Sequence, residues 1–342
     1  MKKSLLSFIA LLFCLSIYAQ GVNIPTNRYF LGFGNTKNFS GLRFNFMDKN
    51  IEKINGINVT IWNAKDKDIS GTINGISIGL PMAYGSADRN GVSLALFGVG
   101  ARDNINGINI AGLGVGSGRD VKGINISGLG TGAGNDMAGI NIGGLGVGGG
   151  GDVKGITIGG LGAGAGGNIT GVTISGIGAG AGGDVKGITI AGIAAGAGGD
   201  IAGINIGGIA MGAGRDVKGI NVAGIALGAG RRIRGLNIAG VAIGAPDVWG
   251  LSIAPVIGGK NVGGINVAPL YFTIRSDQES LGIQKGIAIS SFNHIRGEQR
   301  GLTIGILNIA NHLEGYQIGL INIARSNRKG LKVLPIFNGP FH

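Results

Sequence analysis

Short aliphatic runs separated by glycine recur along most of the chain at a spacing of sixteen residues. In the unit that opens at Gly123, Ile124 and Ile126 flank Asn125, and this period of two belongs to a β-strand. After Gly128 the phase slips, and Leu129 opens a second short strand. Glycines then carry the chain to a turn at Asn135 and Asp136, and Met137 returns an apolar side chain before the next unit. No unit has room for a helix of about ten residues. Two strands and two bends in sixteen residues predict one coil of a parallel β-solenoid, with Ile126 facing in and Asn125 facing out.

Nine units of matching pattern open between Gly107 and Gly235, and Gly75 and Gly91 extend the same spacing backwards. Gly41 and Gly56 open looser units, as do Gly264, Gly286, Gly301, Gly315 and Gly330. One column holds Asn109, Asn125 and Asn141, then Thr157, Thr173 and Thr189, then Asn205, Asn221 and Asn237. In a parallel stack such side chains lie about 4.8 Å apart, close enough for amides to bond along the column. A lone coil is not stable, because each interior glycine costs roughly 0.5–1 kcal/mol relative to alanine. Neighbouring coils have to supply the compensation, and the ends need covers. The organisation expected is a signal peptide at 1–19, an N-terminal cap with irregular β units at 20–74, regular repeats at 75–249, and looser repeats with a C-terminal cap at 250–342. Tyr29, Phe30, Phe33, Phe44 and Phe46 mark the first cap, and Tyr271, Phe272, Phe292, Tyr316, Phe337 and Phe341 the second.

A period of thirty-two lies beneath the sixteen: Lys122, Lys154, Lys186 and Lys218 alternate with Ala138, Thr170 and Ala202. In a solenoid, alternation keeps the lysines about 9–10 Å apart. It would equally mark the opposite ends of an antiparallel outer-membrane β-barrel, which is the rival architecture. Against the barrel, residues 107–248 contain no Phe, Tyr or Trp, whereas membrane barrels carry aromatic girdles at both interfaces. The fold class expected is therefore all-β, a parallel β-solenoid with aromatic-richer caps.

Glycine supplies 74 of 342 residues, but without a Gly-X-Y period and with only 7 prolines, which excludes collagen. Lys2 and Lys3 followed by the apolar stretch Leu5 to Ser16 form a signal peptide, with Ala19 at the cleavage site and Gln20 as the new N-terminus. Cys14, the only cysteine, would leave with it, so the mature chain is expected to hold no disulfide or cysteine metal site. The formal charge is +12, yet residues 107–249 carry nine Lys/Arg against seven Asp. Nucleic-acid binding needs a concentrated basic face, and none is visible. A mildly basic surface suits acidic lipid head groups or polyanionic glycans.

The best candidate for chemistry is the column Asp120, Asp136, Asp152, Asp184, Asp200 and Asp216. Gly-Ala-Gly-Asn-Asp at 132–136 is similar to the calcium-binding nonapeptide of β-rolls. The apolar residue follows Asp one position too early for that motif, and Asn168 and Arg232 interrupt the column. The better reading is that each Asp caps its own turn by accepting a backbone N–H. Glycine strings such as Gly112–Gly116 come from the repeat, and no helix follows to make a dinucleotide site. His294, His312 and His342 have no second ligand at metal spacing; His294 and His312 are read as solvated turn residues, with Glu298 and Glu314 nearby. No catalytic, cofactor-binding or metal-binding residue is assigned.

In the C-terminal part, Gly315, Gln317, Ile318, Gly319, Leu320 and Asn322 form one unit. Gly301, Ile304, Gly305 and Asn308 repeat it with Thr303 in the glutamine position, and Asn293 and Asn338 hold the Asn column in looser units. This pattern resembles the bacterial surface-repeat-containing proteins. The resemblance implies an exported, surface-associated protein whose biochemical role is unknown, and it lends no catalytic residue. The function expected is a non-enzymatic structural or interaction scaffold at the cell surface or outer membrane, the periplasm being the other compartment open to it. Candidate partners are the outer-membrane surface, glycans or another envelope protein. The alternatives are a barrel with a pore or assembly role, a calcium-binding β-roll, and a carbohydrate-active enzyme.

Overall fold

The computed structural model describes residues 22–26, 29–62, 64–277 and 280–341. The expected signal peptide, Cys14, Gln20 and His342 lie outside the described residues. The chain divides into two compact units, residues 1–171 and 172–342, and each is a β-solenoid.

In the first unit the long strands Thr72–Gly79, Asp88–Ala95, Asn104–Ala111, Val121–Ser127, Met137–Gly143 and Val153–Gly159 succeed one another. Each pairs with the next in parallel, at a register of sixteen residues. Between them run short strands such as Gly114–Ser117, Gly130–Ala133 and Gly146–Gly149, which form a second parallel ladder. The start is different: Val22–Thr26 pairs antiparallel with Tyr29–Phe33, which then pairs parallel with Asn38–Met47. Phe33 and Phe44 stack there with ring centroids 5.8 Å apart.

The second unit repeats the plan through Val185–Ala191, Ile201–Gly207, Asp216–Ala223, Arg232–Ala239 and Asp247–Ile253. Beyond these, the longer strands Asn261–Ile274, Ile287–Gln299, Leu302–Leu313 and Tyr316–Ala324 stay parallel. Val333–Asn338 closes the unit antiparallel to Tyr316–Ala324. Aromatic side chains gather here, with Tyr271 against Phe292 and Tyr316 against Phe337. Val22–Thr26 in the first unit and Val333–Asn338 in the second are thus antiparallel to their neighbours, where the coils between them are parallel. Because successive coils pair in parallel, neither unit is an outer-membrane barrel, whose neighbouring strands are antiparallel. Among the described residues, no helix is long and apolar enough to cross a membrane.

The facing of the long strand is the reverse of the one expected from Ile124 and Ile126. Val121, Asn125 and Ser127 are buried, and Ile124 and Leu129 are exposed. Ile126 is only partly covered, on the outer face. One inner column carries Ile105, Val121, Met137 and Val153, and another carries Val99, Val115, Thr131 and Val147. Between them runs the asparagine column, fully buried. A buried amide is costly unless bonded, and within each run of asparagines one amide bonds to that of the next coil. Asn109 Nδ2 donates to Asn125 Oδ1 and Asn125 Nδ2 to Asn141 Oδ1, both at 2.9 Å. The second unit does the same with Asn205, Asn221 and Asn237. Near its end a run from Asn293 through Asn308 to Asn322 continues the device, each step 2.7 Å.

The bend inside each long strand is made by a glycine. Gly123 has φ +111°, and a Cβ there would lie 2.0 Å from the carbonyl oxygen of Gly107. The glycines of the short strand have a different status. A Cβ on Gly130 would meet its nearest heavy atom only at 3.6 Å, an ordinary contact.

Candidate functional site

Three features of the coils carry polar or unusual chemistry: the turn carboxylates, a buried ionic cluster near the N-terminus, and the outward aliphatic rows.

The turn aspartates bond forward, to the following coil. Asp136 Oδ1 accepts the backbone N–H of Asp152 at 2.8 Å, and Asp184 Oδ1 that of Asp200 at 2.9 Å. The expected cap within a single turn is thus a link between coils. The second oxygen takes a cation: Lys122 lies 2.9 Å from Asp120, Lys154 3.0 Å from Asp152, and Lys186 2.8 Å from Asp184. Every second coil places a lysine on this edge, and the coils between carry Ala138, Thr170 or Ala202 there. In the second unit Arg215 bridges Asp184 and Asp200, and Arg231 binds Asp216 at 2.7 Å. At Asp120, Asp152 and Asp184 both carboxylate oxygens are already engaged. Among the described residues no group of three His, Cys, Asp or Glu side chains could hold a metal ion.

These bonds fix the charge state. The N–H of Asp200, then Lys186, hold Asp184 down at about 2. Arg231 leads in lowering Asp216 to about 2, against a smaller opposing effect of burial. A depressed carboxylate adds stability above its unfolded value of 3.8, and that stability is lost as pH falls toward the folded value. Melting temperature is therefore expected to be flat from about pH 7 to 5, to decline below about pH 4, and to ignore EDTA at every pH. Scanning calorimetry with and without chelator checks this. A chelator-dependent drop at pH 7, restored by calcium alone, would contradict the structural role given to the column.

The ionic cluster lies inside the first unit. Arg43 is fully buried and donates to Asp48 Oδ1 at 2.6 Å. Asp48 also accepts from Asn45 at 2.8 Å, Asn58 at 2.9 Å and Thr60 at 2.8 Å. Burial pushes the Asp48 carboxyl up, but Arg43, with Asn45, Thr60 and the charge of Arg89, overcomes it and holds the group below its usual value. Arg89, a second buried arginine, stands in the inner column between Ile73 and Ile105. Burial lowers its pKa to about 10, with Asp48 opposing. The aliphatic periodicity gave no sign of this cluster. The signal in the sequence was Arg89 itself, a charge at a position held elsewhere by Val, Ile or Met.

The outer face of the long strand is apolar. Ile108, Ile124 and Ile156 are 36–40 % exposed, and Leu129, Leu145 and Leu161 form a parallel row beyond the bend. In the second unit Ile188, Ile204 and Ile220 continue the pattern beside Ile193, Ile209 and Ile225. His294 and His312, expected in turns, lie in strands Ile287–Gln299 and Leu302–Leu313. His294 stacks on Phe292 with centroids 5.8 Å apart, and its Nδ1 is 3.3 Å from Tyr271 Oη. Burial lowers its pKa, and Arg296 and Arg325 add to that. A groove lined by Ala242, Pro246, Tyr271 and Arg275 holds one carboxylate among the described residues, Asp277, paired to Lys260 at 2.7 Å.

No family model, no curated protein and no solved structure matches the chain.

Proposed function

We propose that the chain is a non-enzymatic, exported scaffold of the bacterial cell envelope, seated on a membrane surface by its outward aliphatic rows. The observation that carries this reading is the inversion of the coil, amides inside and isoleucines outside. Contiguous apolar surface beyond a few hundred Å² is unusual on a soluble protein and marks an interaction site. The rows repeat at every coil, which suits an extended, featureless partner better than a compact one. Lysines 122, 154, 186 and 218 stand on the outer side of the strand but are paired with turn aspartates, so the cationic character rests on the excess of Lys and Arg over Asp and Glu in the chain, +12 in all, of which Lys2 and Lys3 fall in the expected signal peptide. Apolar area combined with cationic groups is what binds an acidic lipid surface. The likeness of the C-terminal units to surface-repeat proteins, and the signal-peptide pattern of residues 1–19, support export.

The test is flotation of the mature chain, from Gln20, with vesicles containing about one-third acidic phospholipid. The chain is expected to float with the vesicles, and a variant carrying Ile124→Ser, Ile156→Ser, Ile188→Ser and Ile220→Ser to stay behind with an unchanged β spectrum. A wild-type chain that remains free of vesicles, or that only associates with itself, would end this reading.

A further inference from the structure

The inner column of the first unit contains one unmatched charge. Two guanidinium groups, Arg43 and Arg89, are buried within this region, and one carboxylate, Asp48, is buried with them. Asp48 is fully committed. Its two oxygens accept four hydrogen bonds, from Arg43, Asn45, Asn58 and Thr60. A carboxylate has about four lone-pair sites, so none is left for Arg89. Among the described residues, Nε, Nη1 and Nη2 of Arg89 have no acceptor. A guanidinium does not escape by losing its proton at any ordinary pH, and a buried unpaired charge costs several kcal/mol.

Three further donors share this condition. Ser77, Ser86 and Ser93 are buried, and none of their hydroxyls has a partner among the described residues. Strand register sets Ser77 and Ser93 in successive coils next to the Asp48 cluster. Ser77 is the register partner of Asn58, which bonds Asp48, and Ser93 is the register partner of Ser77 in the following coil. Ser86 follows Gly85, whose Cβ position would lie 2.7 Å from the Asp48 Cβ. Arg89 feels the Asp48 charge and shares its strand with Ser93. In neighbouring coils this column is asparagine, so serine at 77 and 93 also leaves space where a carboxamide would stand.

We propose that this part of the first unit is an internal binding site for a small inorganic monoanion, a halide such as chloride, held by the Arg89 guanidinium and the hydroxyls of Ser77, Ser86 and Ser93. One anion cancels one excess charge and accepts from donors that otherwise have no acceptor. Serine in place of asparagine at two positions of the column leaves room for a single-atom ion rather than for sulfate or phosphate. The anion is a structural part of the fold, enclosed when the coils close over it.

The test uses the mature chain, unfolded and refolded by dialysis into either sodium chloride or sodium gluconate at equal ionic strength. A bound anion stabilises only the folded state, so melting temperature should rise by about 2–4 °C for each tenfold increase in chloride. Gluconate, too large for the site, should give no rise. Arg89→Met places a side chain already used at Met137 in the same column, and should abolish the chloride dependence. Crystals grown in bromide should show one anomalous peak within hydrogen-bonding distance of Arg89. If Arg89→Met fails to fold, the wild-type salt series and the bromide peak still decide. Equal melting in chloride and gluconate, a dependence that survives Arg89→Met, or water instead of bromide beside Arg89 would each overturn the proposal.

Discussion

Gly123→Ala is expected to lower stability by more than about 4 kcal/mol, whereas Gly130→Ala, seven residues on, changes it by less than about 1 kcal/mol. The two glycines look alike in the repeat but answer to different constraints. At Gly123 the backbone has φ +111°, where an L side chain costs about 1–3 kcal/mol in strain alone. A Cβ would also lie 2.0 Å from Gly107 O and 2.8 Å from Gly107 C, both backbone atoms of the preceding coil. Neither can move without opening the parallel ladder on both sides, from Asn104–Ala111 through Met137–Gly143. At Gly130 there is no such conformation, and the nearest atom to a Cβ is Gly146 O at 3.6 Å. Its column already carries alanine at 194, 210, 226 and 242. Thermal melting of the two variants measures the difference. Equal losses would mean that the bend of the coil does not reside at Gly123.

The period of sixteen was fully legible, because the glycine that makes each bend cannot be replaced and so marks every coil. Parallel stacking followed from the absence of aromatic girdles. The facing of the strand is not legible from the aliphatic pair alone, because two isoleucines flanking a polar residue fit either face; the parity of the whole strand decides it. Lys122 stands at the same parity as Ile124 and Ile126 along Val121–Ser127, and a face that carries a lysine is the outer one. Val121 on the opposite parity, with Asn125 and Ser127, gives the inner face. The asparagine column was visible, but its direction depends on amides bonding along the stack, which a single unit does not reveal. The Arg43–Asp48 pair was hidden because its partners are brought together only when the irregular N-terminal coils close.

That inner amide ladder sets the second large effect. Asn125→Thr should cost about 2–5 kcal/mol, although threonine occupies the same column at 157, 173 and 189. In the parent, Asn125 accepts from Asn109 and donates to Asn141. The shorter threonine side chain spans neither bond and leaves Asn109 Nδ2 and Asn141 Oδ1 without partners at zero exposure. Each stranded buried group costs about 1–3 kcal/mol. Threonine elsewhere is tolerated because three succeed one another, so that only the ends of the neighbouring amide runs are affected. Asn141 Nδ2 and Asn205 Oδ1 are those ends, and both lack partners among the described residues. Ile126→Lys faces outward, where the stem can lie along the sheet and the ammonium reach water, so it should cost less than about 1 kcal/mol.

The central claim is that each coil holds its amides inside and its isoleucines outside, and one comparison tests it most directly: the melting temperatures of Asn125→Thr and Ile126→Lys in the mature chain, under identical buffer. The account predicts a clear drop for Asn125→Thr and a melting curve close to the parent for Ile126→Lys. A near-silent Asn125→Thr beside a collapsed Ile126→Lys would contradict it, and would place the isoleucines in the core.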